Sequence, residues 1–171
     1  MQEDKFKVLN YAMHYGVALG FFWAFKYLFH IGATYYSDLD YIYQTLSIGT
    51  VFLLYYLTQR YRDKVNGGKI SYLHCVSFTV QLCFFASLIE AVVSYFHYTV
   101  IDPSYISSIN KQLLIEMKAM NFSQEFLTQA ENISFGPLYY TVSQIIGNVF
   151  FGFILSLLYG FFISKKINFN N

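Results

Sequence analysis

Apolar side chains fall into four long stretches separated by short polar segments, at residues 8–31, 41–61, 70–101 and 137–164. A helix that rises about 1.5 Å per residue needs roughly 20 residues to cross about 30 Å of hydrocarbon, and each stretch reaches that length. The pattern predicts an all-α fold in which four membrane-spanning helices form a four-helix bundle. Little chain remains for a separate soluble domain, so residues 1–171 are predicted to form one membrane domain.

Composition agrees with a membrane protein and excludes several kinds of function. Hydrophobic residues make up 56% of the chain and charged residues only 12%, and the charges lie mainly between the apolar stretches. The formal net charge of +1 gives no reason to expect nucleic-acid binding. The histidines lack metal-binding spacing, and phosphate-loop and serine-nucleophile motifs are missing from the sequence. We therefore expect a protein that is surrounded by membrane lipid, is not an enzyme and binds no metal or cofactor.

The distribution of basic residues predicts the orientation of the spans. One side of the membrane is predicted to hold Lys5, Lys7, Arg60, Arg62, Lys64, Lys69, Lys165 and Lys166. The opposite side holds only Lys111 and Lys118. Because cytoplasmic loops carry the excess of Lys and Arg, both termini are predicted to be cytoplasmic, in a multi-pass protein of the bacterial inner membrane.

The external loop between the third and fourth spans, residues 102–136, is predicted to be helical. Asp102 stands at the position of a helix N-cap and Pro103 at the first helical position. An apolar stripe with spacings of three and four residues follows, formed by Ile106, Ile109, Leu113, Met117 and Met120. A second short helix is predicted at 124–131, with Ser123 as its cap. The stripe needs a surface to cover it: the bilayer interface, the outer mouth of the bundle or a partner protein, in that order.

Ionisable residues within the spans are the main functional candidates, because each needs a partner, water or a role in function. Lys26 and Glu90 are predicted to reach similar depths, so they could form a salt bridge. Alternatively, Lys26 extends toward the interface while Glu90 finds a polar neighbour such as Gln81. A third hypothesis is a proton or cation relay that joins Glu90 to His97 and His30.

Other span residues are predicted to act in helix packing. Small residues four apart allow two helices to approach closely: Gly16 and Gly20 in the first span, and Gly152, Ser156 and Gly160 in the last. Their partner is a helix of the same chain or, alternatively, of a second copy. The amides of Gln144 and Asn148 are one turn apart in the last span and are suited to hydrogen bonds between helices.

Two further local features are predicted. Cys75 and Cys83 share one helix too far apart to bridge, so both are expected to be buried free thiols. Asn66-Gly67-Gly68 predicts a tight turn with positive φ between the second and third spans.

Short segments along the chain resemble a known family. Asn10-Tyr11-Ala12 opens the first span, Gly67-Gly68-Lys69-Ile70-Ser71-Tyr72 enters the third, Ile101-Asp102-Pro103 leaves it, and Lys165-Lys166 stands near the end. These segments resemble an uncharacterised family of small four-span bacterial membrane proteins, a domain of unknown function typical of Bacteroidetes. The resemblance covers essentially the whole chain. It implies the fold and a bacterial origin, and it implies no catalytic residues.

Two classes of function follow from these features. The first is a structural or accessory subunit that binds a membrane or periplasmic partner through its external helices or its small-residue stripes. The second is a small channel or carrier, which requires that the polar side chains Lys26, Gln81, Glu90, Gln144 and Asn148 converge on a wet cavity, enclosed by a homo-oligomer. A stoichiometric partner in mild detergent favours the first class, and a homo-oligomer with a polar path favours the second.

Overall fold

The computed structural model describes residues 2–132 and 135–164, and these residues form helices joined by short connections. The elements are α1 Gln2–Ala33, α2 Asp38–Val65, α3 Tyr72–Phe96, a π-helical turn His97–Ile101, α4 Tyr105–Ala119, α5 Gln124–Asn132 and α6 Pro137–Ser164. No strand occurs within the described residues. The all-α prediction is confirmed.

Three of the helical segments are long and apolar enough to cross a membrane: Phe6–Ala33, Tyr72–Ile101 and Pro137–Ser164. They contain the predicted spans at 8–31 and 137–164 and nearly all of the one at 70–101. The predicted span at 41–61 does fold as a helix, α2, but α2 is not among the three, so the structure supports three apolar spans where four were predicted. The physical reason is that α2 mixes its apolar residues with amide and hydroxyl side chains and ends in the charged run 60–64.

Helix α3 lies at the centre of the arrangement. It packs along α1 on one side and along α6 on the other, while α2 packs along α1 and also touches α6 and α3. Small residues make the two main contacts close. A Cβ atom added to Gly16 would lie 2.6 Å from the Cβ of Phe85, and one added to Gly20 would lie 2.8 Å from Cδ1 of Ile89.

The last helix approaches α3 in the same way. A Cβ atom on Gly152 would collide with Cys83, and one on Gly160 would lie 3.3 Å from the ring of Tyr72. Ser156, between these glycines, is fully buried. The predicted small-residue stripes therefore lie in contacts between helices of one chain. Cys83 and the other cysteine, Cys75, are both buried and free, as predicted.

The packed interior contrasts with the outward helix faces. Leu19, Leu54, Phe78 and Leu82 are fully buried in the central core. Large apolar side chains also cover much of the outer surface, among them Phe21, Phe25, Ile48, Phe52, Val92, Phe96, Ile146, Phe150, Leu158 and Phe162. Soluble proteins rarely expose apolar surface on this scale, and these faces are suited to contact with lipid.

The connection between α2 and α3 adopts the predicted turn. Gly67 and Gly68 have φ values of +60° and +80°, the left-handed region that favours glycine. At the same end of the molecule, the Lys7 ammonium donates a 3.1 Å hydrogen bond to the carbonyl oxygen of Val65. Lys165 and Lys166, which were also predicted on this side, lie outside the described residues.

Local side-chain hydrogen bonds influence where α4 and α5 begin. Helix α4 begins at Tyr105 with Ser104 as its N-cap, rather than at the predicted Asp102 and Pro103. Asp102 instead closes a turn, because its Oδ1 accepts hydrogen bonds from the Ser104 amide at 3.1 Å and the Ser104 hydroxyl at 2.6 Å. Helix α5 begins as predicted, with the Ser123 hydroxyl accepting from the Phe126 amide at 3.3 Å.

Candidate functional site: a buried polar cluster

Five polar side chains meet between the long helices, and we refer to them as the polar cluster. They are Lys26 from α1, Ser47 from α2, Glu90 from α3, and Gln144 and Asn148 from α6. The two ionisable members are deeply buried, with Lys26 9% and Glu90 2% exposed. The structure thus brings together four of the side chains that the sequence singled out.

Glu90 is held by the amides of α6. The Asn148 Nδ2 donates a 2.7 Å hydrogen bond to Glu90 Oε2, and the Gln144 side chain lies close to the same carboxylate. These contacts fix α6 against α3, as the amides were predicted to do between helices. Gln81, the neighbour suggested for Glu90, instead donates to the Ser77 hydroxyl at 3.0 Å.

Lys26 is held by hydroxyl and aromatic groups. Its Nζ lies 3.5 Å from Ser47 Oγ and sits over the rings of Trp23 and Tyr43, 5.6 Å and 5.3 Å from their centroids. Such contacts stabilise a cation through the negative face of each ring. Lys26 and Glu90 interact electrostatically, yet among the described residues they form no ion pair within 4.0 Å.

A histidine–tyrosine layer lies between the polar cluster and α4. We define it as Tyr27, His30, His97 and Tyr105. Tyr27 OH and His97 Nδ1 share a 3.1 Å hydrogen bond, and Tyr105 OH and His30 Nε2 share one of 2.8 Å. His30 Nδ1 also lies 3.9 Å from a carboxylate oxygen of Asp40 at the start of α2. The two histidines of the relay hypothesis thus belong to two separate hydrogen-bonded pairs, and His97 lies about two turns from Glu90 along the chain.

Tyr105 attaches the external helix α4 to the spans. Its ring lies 4.7 Å from that of His97 and stacks on Tyr98, with centroids 5.6 Å apart. Burial raises the pKa of the Tyr105 hydroxyl to about 12, so the neutral hydrogen-bonding form persists across the physiological range. Farther along α4, the Tyr140 hydroxyl of α6 donates a 2.6 Å hydrogen bond to Asn110 Oδ1.

Sequence reasoning missed the two tyrosines of this layer. Tyr27 carries a usable signal, since Trp23, Tyr27 and His30 are spaced four and three residues apart and must share one face of α1. Tyr105 carries no comparable signal, because its contact with His30 depends on how α4 folds back over the spans.

Several buried polar atoms near these residues have no hydrogen-bond partner in the described protein. They are Trp23 Nε1, His30 Nδ1, Thr50 Oγ1, His97 Nε2 and Gln144 Oε1. A buried donor or acceptor without a partner costs about 1–3 kcal/mol. Their concentration around one cluster indicates a polar environment suited to water or a polar ligand.

An apolar layer separates the polar cluster from the opposite end of the helices. Leu19, Leu54 and Leu82 are fully buried and lie seven or eight residues inward of the cluster residues on their helices, about 10 Å along the axis. One turn farther inward, Tyr159 OH hydrogen-bonds the hydroxyls of Thr58 and Thr79 at 3.3 Å and 2.9 Å. The polar cluster is thus isolated from this hydroxyl cluster.

The external helices form a second candidate site, an apolar groove of about 300 Å³ between α4 and α5. Its lining comprises Leu113, Leu114, Met117, Phe126, Ala130 and Phe135, with Asn110, Gln129 and Glu131 as the polar members. Leu113 and Phe126 are both 44% exposed.

The predicted α4 stripe divides between two environments. Ile106 is buried against the chain, and Ile109 is half-buried. Leu113 and Met117 line the groove, and Met120 is 64% exposed. The first part of the stripe therefore belongs to the fold, and the second part remains available for binding.

Comparison with known proteins identifies a family and gives no functional assignment. Residues 14–165 match the family described as "protein of unknown function (DUF4199)". No curated protein and no solved structure matches the chain.

Proposed function

The chain belongs to this family of unknown function, and we propose that it is a multi-pass inner-membrane accessory subunit that binds a protein partner through its external helices. Three apolar spans support the membrane location. The excess of Lys and Arg near the turn between α2 and α3 supports cytoplasmic termini in a bacterial cell. No catalytic step is part of the proposal.

The proposal includes α2 as a fourth span. Residues 41–59 contain no charged side chain, and the outward face of α2 carries the exposed apolar residues Ile48 and Phe52. Three of its polar residues, Ser47, Thr50 and Thr58, are buried or half-buried against other helices, whereas Gln44 and Thr45 near its start are exposed. Low overall hydropathy is therefore compatible with a helix whose polar side faces protein.

The groove between α4 and α5 is the observation that carries the proposal. Protein-binding surfaces combine an apolar centre with a polar rim, and the groove has this composition. Short connections to the ends of α3 and α6 support a position beside the outer membrane surface, from which the groove would reach a membrane or periplasmic partner. The apolar layer at Leu19, Leu54 and Leu82 gives a reason to prefer this function to a conduit through one chain.

Site-specific photo-crosslinking in intact cells tests the proposed groove. A photo-reactive side chain at Leu113 is expected to give one covalent adduct of discrete size, whereas the same group at Ile115 gives none. Ile115 is the matched control because it is exposed on α4 and is not part of the groove lining. The partner identified by mass spectrometry should co-purify stoichiometrically, be lost in Leu113→Asp and be retained in Ile115→Asp. Equal adducts at both positions would contradict the proposal.

A small carrier is the second candidate function, and the buried Lys26 and Glu90 favour it. Charged side chains at membrane depth mark many ion and substrate pathways. A carrier requires that the apolar layer opens during transport, with a homo-oligomer enclosing the path. Proton or solute flux into proteoliposomes that is abolished by Glu90→Gln, with unchanged protein abundance, would favour the carrier over the accessory subunit.

A further inference from the structure

We infer that the polar cluster is a binding site for a small zwitterionic solute, whose anionic group contacts Lys26 and Trp23 and whose cationic group contacts Glu90 and Gln144. This site is separate from the groove on α4 and α5. It does not depend on the proposed protein partner.

The donor end of the site is formed by α1. Within the described part of the chain, the ammonium of Lys26 has one hydrogen-bonding contact, a long one of 3.5 Å with Ser47 Oγ, which leaves most of its hydrogen-bonding capacity unused. The indole of Trp23 lies against this ammonium, and its Nε1 is a buried donor without a hydrogen-bond partner among the residues that the structure describes. Two adjacent donors, one of them cationic, are suited to a carboxylate or another small oxyanion.

The acceptor end is formed by α3 and α6. Glu90 Oε2 accepts from Asn148 at 2.7 Å, and Gln144 contacts the same carboxylate. The Gln144 Oε1 atom is buried, has no hydrogen-bond partner within residues 2–132 and 135–164, and can only accept. A carboxylate beside an unused amide oxygen is suited to an ammonium group.

The separation of the two ends argues for a ligand between them. Opposite charges attract strongly at low dielectric, so two buried groups in direct contact would form an ion pair. Lys26 and Glu90 make no such pair within 4.0 Å, and each is held by a neutral side chain from another helix. A solute with both charges complements both ends at once, whereas a singly charged solute leaves one end unmatched.

Access is predicted from the outer side. The apolar layer at Leu19, Leu54 and Leu82 closes the inner side. On the outer side the histidine–tyrosine layer covers the cluster, and the bond from Tyr105 to His30 ties α4 across it. Release of this bond would open a route for a small polar solute.

Thermal unfolding of the full-length protein in mild detergent tests the site. The probes are glycine, β-alanine and 4-aminobutyrate, which differ in the separation of their charges. At least one of them is expected to raise the midpoint by about 2 °C or more at millimolar concentration. Acetate and methylammonium, alone or as an equimolar mixture, should give no such shift.

Substitutions test whether the shift of the unfolding midpoint arises at the polar cluster. The near-isosteric changes Glu90→Gln and Lys26→Met should each abolish the shift, while Thr58→Val in the separate hydroxyl cluster should retain it. If a cluster variant fails to fold, the selectivity of the unchanged protein for zwitterions over the mixed single ions still tests the site. The inference is overturned if none of the three zwitterions shifts the midpoint, or if acetate or methylammonium shifts it equally.

Discussion

The Asn148 amide nitrogen lies 2.7 Å from the Glu90 carboxylate and connects α6 to α3 in the interior of the molecule. The two residues are 58 positions apart in sequence. A buried carboxylate is stable only when hydrogen bonds or charges compensate its lost hydration. This contact thus couples the position of the last helix to the charge of the third.

Asn148→Leu is expected to destabilise the protein by about 1–3 kcal/mol, because it removes a hydrogen bond to a buried carboxylate. Chemical unfolding in detergent measures the loss. Gln81→Leu is the matched control, since Gln81 bonds only Ser77 among the described side chains. The loss should shrink when Glu90 is also replaced by leucine. An equal loss in both backgrounds would show that the two side chains are not coupled.

Gly152→Ala is expected to destabilise the packing of α6 on α3 by about 1–3 kcal/mol, because the added methyl collides with Cys83. Gly147→Ala is the control on the same helix. Nothing lies within 4 Å of the methyl added there, so this change should be neutral or stabilising by up to about 1 kcal/mol. Comparing the unfolding free energies of the two variants tests the packing, and equal effects would contradict it.

Tyr105→Phe is expected to loosen α4 without unfolding the spans. Loss of the hydrogen bond to His30 should speed amide exchange in α4 by about 3–10-fold, the equivalent of about 0.5–1.5 kcal/mol. Hydrogen exchange with mass spectrometry measures the change. Tyr95→Phe on the exposed face of α3 should leave α4 protection unchanged.

The same tyrosine, Tyr105, predicts that the stability of the folded protein changes with pH in the alkaline range. Because burial raises the pKa of Tyr105 to about 12, the folded protein keeps this proton while the unfolded chain loses it near pH 10. Its contribution to stability is therefore complete below about pH 10 and is lost as the pH rises toward about 12. The difference between the pH–stability curves of the parent protein and Tyr105→Phe should show this decline. A constant difference across that range would contradict the raised pKa.

Cysteine labelling tests the proposed fourth span. If α2 crosses the membrane, a membrane-impermeant thiol reagent applied to the outside should label Ser37→Cys, just before α2, and spare Lys64→Cys at its other end. Both positions are exposed, whereas the natural Cys75 and Cys83 are buried and should react little. Permeabilising the membrane should then expose Lys64→Cys. Labelling of both variants from outside would show that α2 does not cross.

The sequence predicts the helices better than it predicts the contacts between them. Periodicity and length place α6 at its observed bounds, and the glycines at 67 and 68 reveal their turn because only a local backbone requirement is involved. The start of α4 was misplaced because Asp102 has two local options, an N-cap or a turn, with similar chemistry. Local patterns do not decide between such options.

From the sequence we could predict which residues belong to the candidate site, but not the contacts between them. Polar and charged side chains are costly to bury in a membrane, and this cost alone identifies Lys26, Glu90, Gln144 and Asn148 as residues that need polar partners. Which partner each finds depends on helix rotation, and so the sequence could not assign Asn148 rather than Gln81 to Glu90. Tyr105 enters the site through the tertiary position of α4, for which the chain contains no local signal.

The apolar layer affects where the voltage falls when a potential exists across the membrane. Voltage falls mainly across dry, weakly polarisable material, and Leu19, Leu54 and Leu82 provide it near the middle of the helices. In the proposed orientation, charges at Lys26 and Glu90 would then stand closer to the potential of the external medium than to that of the cytoplasm. Occupancy of their site would report the composition of that medium, with little influence from the membrane voltage.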